Sequence, residues 1–196
     1  MIRLFDILFS LFGLIVLSPL FLIVAVWIVL DNYGPVFYRQ QRVGKNGNDF
    51  LLLKFRSMRI GADKMSLITV GERDPRVTKA GYYLRKYKID ELPQLWNVFI
   101  GDMSLVGPRP EVRKYVNLYT DEQRKVLSIR PGITDYASIK YIDENRLLEQ
   151  SSNPDKTYEE EIMPAKIALN MRYIEHQTLR EYFTILLLTF SKLFRH

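Results

Sequence analysis

Residues Ile7 to Leu30 are 24 consecutive uncharged positions, in which only Ser10, Gly13, Ser18 and Pro19 interrupt the aliphatic and aromatic side chains. An apolar run of 18 or more residues is a candidate membrane segment, because ~20 residues of helix cross the ~30 Å hydrocarbon layer. A secretory signal has a similar look, with Arg3 as its basic start. However, the run exceeds the usual apolar core of such signals, and Trp-Ile-Val-Leu-Asp at 27–31 offers no small-residue cleavage site. Pro19 divides the run into halves of 12 and 11 residues, each reaching only ~17 Å in a helix. Proline removes a backbone hydrogen bond and clashes with the preceding turn, so it kinks or breaks a helix. The Ser18 hydroxyl can take up groups that the break frees. On these grounds two readings stay open: one spanning helix with a proline kink, or a helix-break-helix unit that enters and leaves by one face. Arg3 precedes the run, and Arg39, Arg42 and Lys45 follow it; the positive-inside rule puts the heavily basic C-terminal side in the cytoplasm.

The remainder has a different composition. Residues 1–30 carry only Arg3 and Asp6 as charges, so the other 166 hold 27 Lys+Arg against 21 Asp+Glu, the whole net charge of +6. A hydrophobic content of 47% excludes disorder, and the absence of cysteine excludes a disulfide scaffold, thiolate catalysis and thiolate zinc sites. Two histidines, His176 and His196, leave no His-rich metal site. The length suits one compact domain. The expected division is a membrane-inserted segment over 1–32, broken at Ser18-Pro19, and one globular domain over 33–196, with a surface loop at Ser151–Asp155.

Val36 to Met58 reads as a β-hairpin, with Asn46-Gly47 as the turn signal between two apolar-rich strands. Strand alternation sets Phe50, Leu52, Lys54, Arg56 and Met58 on one face. From Arg76 the pattern is helical through Lys86, and it restarts at Asp90-Glu91, where Pro93 marks a helix start because proline is tolerated in the first turn. Further helices are expected over Glu111–Leu127 and Tyr158–Gln177, with a tight turn at Arg130-Pro131-Gly132. Tyr182 to Phe194 is too short to span a membrane and suits a helix lying in the interface, about 180–195, or a helix packed on the core. The resulting fold class is α+β, mostly helical: a membrane-inserted pair, a small β-hairpin and amphipathic helices around one domain.

At a helix start, Asp90 and Glu91 would sit at the positive end of the helix dipole. Adjacent carboxylates on a helix point ~100° apart and cannot share one proton. They can divide two roles, one attacking and one holding a metal. A carboxylate nucleophile forms an acyl-phosphate intermediate, and phosphoryl transfer needs cations such as Mg²⁺, Arg or Lys to neutralise spreading charge. Lys54, Arg56, Arg85, Lys88 and Arg109 are available, the last set rigidly between Pro108 and Pro110. On spacing alone the acidic pair reads no further than helix-start charge stabilisation. A pI near 9.4 also admits a different class, a membrane-anchored basic module for anionic lipid. The prolines and the acidic pair interleaved with the cations speak against one long binding stripe.

The stretches KFRSM (54–58), Leu84-Arg85-Lys86, DELPQLWNV (90–98), GDMSLVGPRPE (101–111) and RPGIT (130–134) occur in this order. Together they resemble the bacterial sugar transferase family, the monotopic phosphoglycosyl transferases, over nearly the whole chain, and in particular its minimal members. The resemblance implies transfer of a phospho-sugar from a UDP-sugar, an N-acetylated amino or diamino sugar, to polyprenyl (undecaprenyl) phosphate, giving a polyprenyl diphosphate-linked sugar and UMP. It makes Asp90 the nucleophile and Glu91 the Mg²⁺-binding partner, with Asp90 also at the metal. Arg109 becomes the phosphate binder, alongside Arg85, Lys54 and Arg56. Pro108, Arg130 and Thr134 fall to the nucleotide or sugar pocket, although Asp135-Tyr136-Ala137-Ser138 stands where many members have Gly-Trp-Ala-Gln. It also favours the re-entrant reading of Ser18-Pro19, in one leaflet of the bacterial inner membrane with the catalytic domain on the cytoplasmic face. No nucleic acid partner is expected. The expected role is the first membrane step of glycoconjugate or N-linked glycoprotein assembly, followed by later glycosyltransferases.

Overall fold

The computed structural model describes residues 1–62 and 74–193. The apolar run forms two helices, α1 (Ile2–Val16) and α2 (Ser18–Asp31), bent by 59°. The bend falls at Leu17, one residue before the expected Ser18-Pro19 break. Pro19 thereby occupies the first turn of α2, where a missing N–H costs nothing. Ser18 Oγ donates to the Ile15 carbonyl at 2.8 Å, while Leu17 N–H and Phe21 N–H still bond to Gly13 and Leu17 carbonyls at 2.9 Å. The ladder thus continues across the elbow, and the pair forms an open V rather than two arms folded back on each other. Among the described residues no single helix is long and apolar enough to cross a membrane, whereas the bent pair qualifies together.

Both ends of the V are fastened to the body. Asp6 is buried, and its Oδ1 accepts Ser104 Oγ (3.0 Å), Leu105 N–H (2.9 Å) and Tyr182 Oη (3.0 Å). Arg3 donates to the Val98 and Phe99 carbonyls, the latter at 2.8 Å, in the last turn of the helix that ends at Ile100. At the far end, Asp31 accepts Ala80 N–H at 2.9 Å, and Val24 and Ile28 are buried with Phe55 and Leu84.

The expected hairpin is present as β1 (Phe37–Val43) antiparallel to β2 (Asp49–Phe55), with Tyr38 opposite Lys54. Asn46 and Gly47 both have positive φ, 58° and 78°, and Asn48 N–H closes on the Lys45 carbonyl at 3.2 Å. That is the conformation for which Asn-Gly is selected. Next come α3 (Lys79–Lys86), started by a Thr78 cap rather than at Arg76, and α4 (Gln94–Ile100), which begins after Pro93 as expected.

β3 (Ser104–Val106) and β4 (Gly132–Thr134) form a parallel pair that local patterning did not announce. Arg130-Pro131-Gly132 is therefore a strand entry, not a tight turn. Gly107 and Gly132 explain it: a Cβ on Gly132 would lie 2.1 Å from Gly107 N, so only two glycines let these backbones touch. The helix expected over Glu111–Leu127 is broken into α5 (Arg113–Val116), α6 (Asp121–Arg124) and a 3₁₀ turn (Lys125–Ser128). A capping box between Thr120 and Gln123 starts a new helix in mid-pattern.

The chain continues through α7 (Tyr136–Lys140), α8 (Glu144–Glu149) and α9 (Pro154–Thr157). A π turn at Tyr158–Ile162 then leads into α10 (Met163–Glu175), and α11 (Leu179–Leu193) follows. The last residues of the expected 180–195 helix lie outside the described residues. α11 packs on the core, as one of the two readings has it, and keeps an apolar outer face. Tyr182 and Ile185 are buried and Phe183 meets Phe5 edge-on at 5.2 Å, while Leu187, Leu188 and Phe190 are exposed. Leu8, Phe12, Ile15, Leu22, Ile23 and Leu30 of the helix pair are exposed as well.

Candidate active site

The site grows from a strained corner. α3 ends at Lys86, and Lys88 adopts the left-handed conformation (φ 57°), a position that costs a non-glycine residue free energy and persists where surrounding structure enforces it. The chain then makes a 3₁₀ turn, Ile89–Glu91. Asp90 and Glu91 thus precede α4 instead of opening it, and they enter a cleft of about 780 Å³. β2 supplies Lys54 to the same cleft, and the rigid Pro108-Arg109-Pro110 segment supplies Arg109.

Glu91 is saturated. Its carboxylate accepts Lys54 Nζ at 3.0 Å and both terminal nitrogens of Arg109, Nη1 at 3.1 Å. Burial alone would raise its pKa, but Arg109 and Lys54 outweigh it and hold Glu91 well below the usual glutamate range. Glu91 in turn raises the Arg109 pKa. Lys54 is lowered, chiefly by burial and against the pull of Glu91. Asp90 is the opposite case. It is 6% exposed and accepts no hydrogen bond among the described residues. Burial raises its pKa first and Glu91 adds to this, against Lys54, Arg85 and Lys88.

The backbone behind Arg109 is fixed by Asp135, which is buried. Its Oδ2 accepts Arg109 N–H at 2.8 Å and Asn170 Nδ2 at 2.9 Å, and Oδ1 caps α7 through Ser138 N–H. The two bonds to Glu91 use one N–H on each of Nη1 and Nη2, so three of the five Arg109 N–H groups, Nε among them, are left for an anion.

Lys54, Arg85, Asp90, Glu91, Arg109 and Thr134 all line the cleft. Arg56 lines it too, but its guanidinium donates to the Asn32 and Tyr33 carbonyls and so holds the exit of α2. Pro108 lines a separate cavity with Pro110 and Pro131, and its carbonyl accepts Gly132 N–H at 2.9 Å. Arg130 is elsewhere: Nε donates to the Gly101 carbonyl at 2.8 Å, and the residue lines a separate cavity with Arg3 and Lys45. Ser18 and Pro19 form the distant elbow. Asp102 accepts Asn97 Nδ2 at 3.2 Å and serves the turn after α4.

Sequence reasoning passed over Tyr38, Gln40 and Arg42, which also line the cleft. The hairpin register held the signal, since Tyr38 pairs with Lys54 and faces the same way. Lys166, paired with Glu144 at 2.7 Å, lines the same end and had no local signature.

A Mg²⁺ ion favours one or two carboxylates together with substrate phosphates. Among the described residues no group of three His, Cys, Asp or Glu side chains could hold a metal. The Asp90–Glu91 pair matches the smaller requirement, with Asp90 offering the unengaged oxygens.

The family model described as bacterial sugar transferase matches residues 1–196; the chain belongs to this family. A candidate undecaprenyl-phosphate N-acetylgalactosaminyl 1-phosphate transferase of Bacillus subtilis (strain 168) is 45% identical over 120 residues, covering 61% of this chain and 67% of the relative. The UDP-N-acetylgalactosamine-undecaprenyl-phosphate N-acetylgalactosaminephosphotransferase of Aeromonas hydrophila is 43% identical over 139 residues, 68% of this chain and 32% of the relative. The UDP-glucose:undecaprenyl-phosphate glucose-1-phosphate transferase of Xanthomonas campestris pv. campestris is 39% identical over 142 residues, 68% of this chain and 28% of the relative. The chain thus matches about a third of the length of the latter two.

Proposed function

We propose that this bacterial sugar transferase moves a sugar 1-phosphate from a UDP-sugar to undecaprenyl phosphate at the surface of the bacterial inner membrane, by way of a covalent Asp90 intermediate. The observation that carries the proposal is the division of labour in the carboxylate pair: Glu91 is locked by Lys54 and Arg109, while buried Asp90 has no partner among the described residues. In the first half-reaction an Asp90 oxygen attacks the β-phosphorus of the donor. The Asp90–phosphorus bond forms, the bond from phosphorus to the bridging oxygen breaks, and UMP leaves with the electron pair. In the second, a phosphate oxygen of the acceptor attacks the same phosphorus and displaces the Asp90 carboxylate. The product is a polyprenyl diphosphate-linked sugar. The Nε edge of Arg109, Arg85 and Lys88 bind the donor phosphates. Asp90 and Glu91 would hold a Mg²⁺ ion, which would neutralise further charge on the donor phosphates.

The relatives' activities support a UDP-sugar donor. Two of them concern N-acetylgalactosamine and one glucose, and we favour an N-acetylated amino or diamino sugar. Such a reaction opens the membrane assembly of a glycoconjugate.

Monotopic insertion is supported by the two fastened ends of the V. Asp6 and Asp31 both bond to the globular body, so both ends lie on its side of the bilayer. With arms of ~22 and ~21 Å, a 59° bend lifts the elbow only ~11 Å from the line joining the ends, which is within one ~15 Å leaflet.

The test is release of UMP from a panel of UDP-sugars on adding Mg²⁺ and a short-chain polyprenyl phosphate, with intact-mass detection of a phospho-sugar on the protein. One donor should give UMP and the adduct. A protein that binds anionic lipid yet releases no UMP from any donor would overturn the reading.

A further inference from the structure

The cleft has a second end that the chemistry at Asp90 leaves unused. α11 forms one of its walls through Leu186, Thr189, Phe190 and Lys192. The helix is held in register there by Thr134, whose hydroxyl lies 2.7 Å from that of Thr189, itself bonded to the Ile185 carbonyl at 2.8 Å. Phe190 lines the cleft and is also 58% exposed. It is therefore a point where the cleft meets the outer apolar face of α11, on which Leu187 and Leu188 are also exposed. Across the cleft, Leu95 belongs to the lining and touches α1, its Cδ1 lying 3.0 Å from a Cβ built at Gly13. Phe190, Leu186 and Leu95 thus line an apolar path from the exposed face of α11 into the cleft that holds Asp90.

Most cations around the cleft are already committed. Lys54 and Arg109 hold Glu91, Arg56 holds carbonyls, Arg42 holds Gln40 and the Pro110 carbonyl, and Lys166 holds Glu144. Among the described residues, Arg59, Arg85, Lys88 and Lys192 line the cleft without a hydrogen bond or ion pair from their side chains. The first three stand near the β2 and α3 side. Lys192 is the one on α11, beside the apolar path.

We infer that the mouth between α4 and α11 is the entrance for the lipid acceptor, that Lys192 captures the acceptor's phosphate as it enters, and that Phe190 and Leu186 carry the first isoprene units once the phosphate has passed on toward Asp90. A ligand with an apolar tail and a dianionic head fits a greasy entrance with one free cation at its rim. The donor, with its nucleoside and two phosphates, has no use for the apolar path. Lys192 is thus an acceptor-binding residue, and the inference rests on the proposed transfer reaction.

The experiment separates the two half-reactions in the full-length protein. Lys192→Gln should raise the KM for a short-chain polyprenyl phosphate about tenfold, a factor set by one charge-assisted hydrogen bond. The donor KM and the stoichiometric UMP burst without acceptor should stay within about twofold of wild type, and Lys192→Arg should recover most of the acceptor KM. Direct titration with polyprenyl phosphate should weaken in parallel for Lys192→Gln, a readout that needs no turnover. An unchanged acceptor KM and affinity, or an equal rise in donor KM, would overturn the inference and leave the transfer reaction standing. A wild-type protein that releases no UMP from any donor yet still loses polyprenyl phosphate affinity in Lys192→Gln would sink the transfer reaction and keep the binding site.

Discussion

Asp90 and Glu91 are neighbours in sequence with opposite electrostatic fates. Glu91 accepts Lys54 and both ends of the Arg109 guanidinium, and its pKa is pulled well down. Asp90 is buried with no partner among the described residues, and its pKa is pushed up by burial and by Glu91. One carboxylate organises the cations; the other is left free to react.

Replacing the free carboxylate separates activity from stability. Asp90→Asn should lower turnover by more than about 10⁴-fold, as loss of a covalent nucleophile does. The same change removes an unpaired buried charge and should stabilise the fold by about 1 kcal/mol, a rise of ~2–4 °C in Tm for a chain of this size. Calorimetry beside a UMP assay would read both; a retained turnover would reject the nucleophile.

The pKa directions define an acid limb. Asp90 must be ionised to attack, so activity should fall as pH drops through a value above the ordinary aspartate pKa of ~3.9. Stability should not follow. The native state holds the Asp90 proton more tightly than the unfolded chain does, so this residue favours folding more as pH falls through its raised value. Glu91 has the reverse sign: its contribution is complete above the ordinary glutamate value and is lost only as pH falls through its depressed native value. As pH falls toward the ordinary glutamate value of ~4.3, activity should decline while Tm holds or rises. A Tm that fell in step with activity would contradict the Asp90 assignment.

Glu91→Gln leaves Lys54 and Arg109 without a counter-charge in a buried setting. Breaking such a pair costs about 3 kcal/mol, so a lower denaturant midpoint should accompany loss of activity. Adding Arg109→Gln should recover part of the stability but none of the activity. If Glu91→Gln unfolded like wild type, the Lys54–Glu91–Arg109 unit would not be the organiser described.

Arg130 lies against the Gly101 carbonyl, outside the catalytic cleft. Arg130→Gln should therefore change the donor KM by less than about twofold. A large rise confined to that parameter would return the residue to the nucleotide pocket.

Because the chain contains no cysteine, its topology can be read by single labels. Met1→Cys and Tyr33→Cys should both react with an impermeant thiol reagent from the cytoplasmic side, since the two ends of the V dock on one body. Labelling of Met1→Cys from the opposite side alone would restore a spanning helix.

Local chemistry was legible where a few adjacent residues suffice. The apolar run with its proline indicated a bent pair, Asn46-Gly47 indicated a hairpin, and Pro93 indicated the start of α4. The acidic pair stood out, yet nothing local distinguished its members, because their difference comes from Lys54, 37 positions from Glu91, and Arg109, 18 positions away. Likewise, of the two cations on one strand pattern, Lys54 reached the carboxylates, while Arg56 was taken by carbonyls at the end of α2. The parallel β3–β4 pair needed the backbones at Gly107 and Gly132 to meet, and the 59° bend needed two anchors, Asp6 and Asp31, on one body. Most elements and the reactive groups were legible in the chain alone, since propensity and patterning act over a few residues. Tertiary structure alone decided which charge pairs with which. A long side chain chooses its partner by burial and distance, and those exist only after the chain has packed.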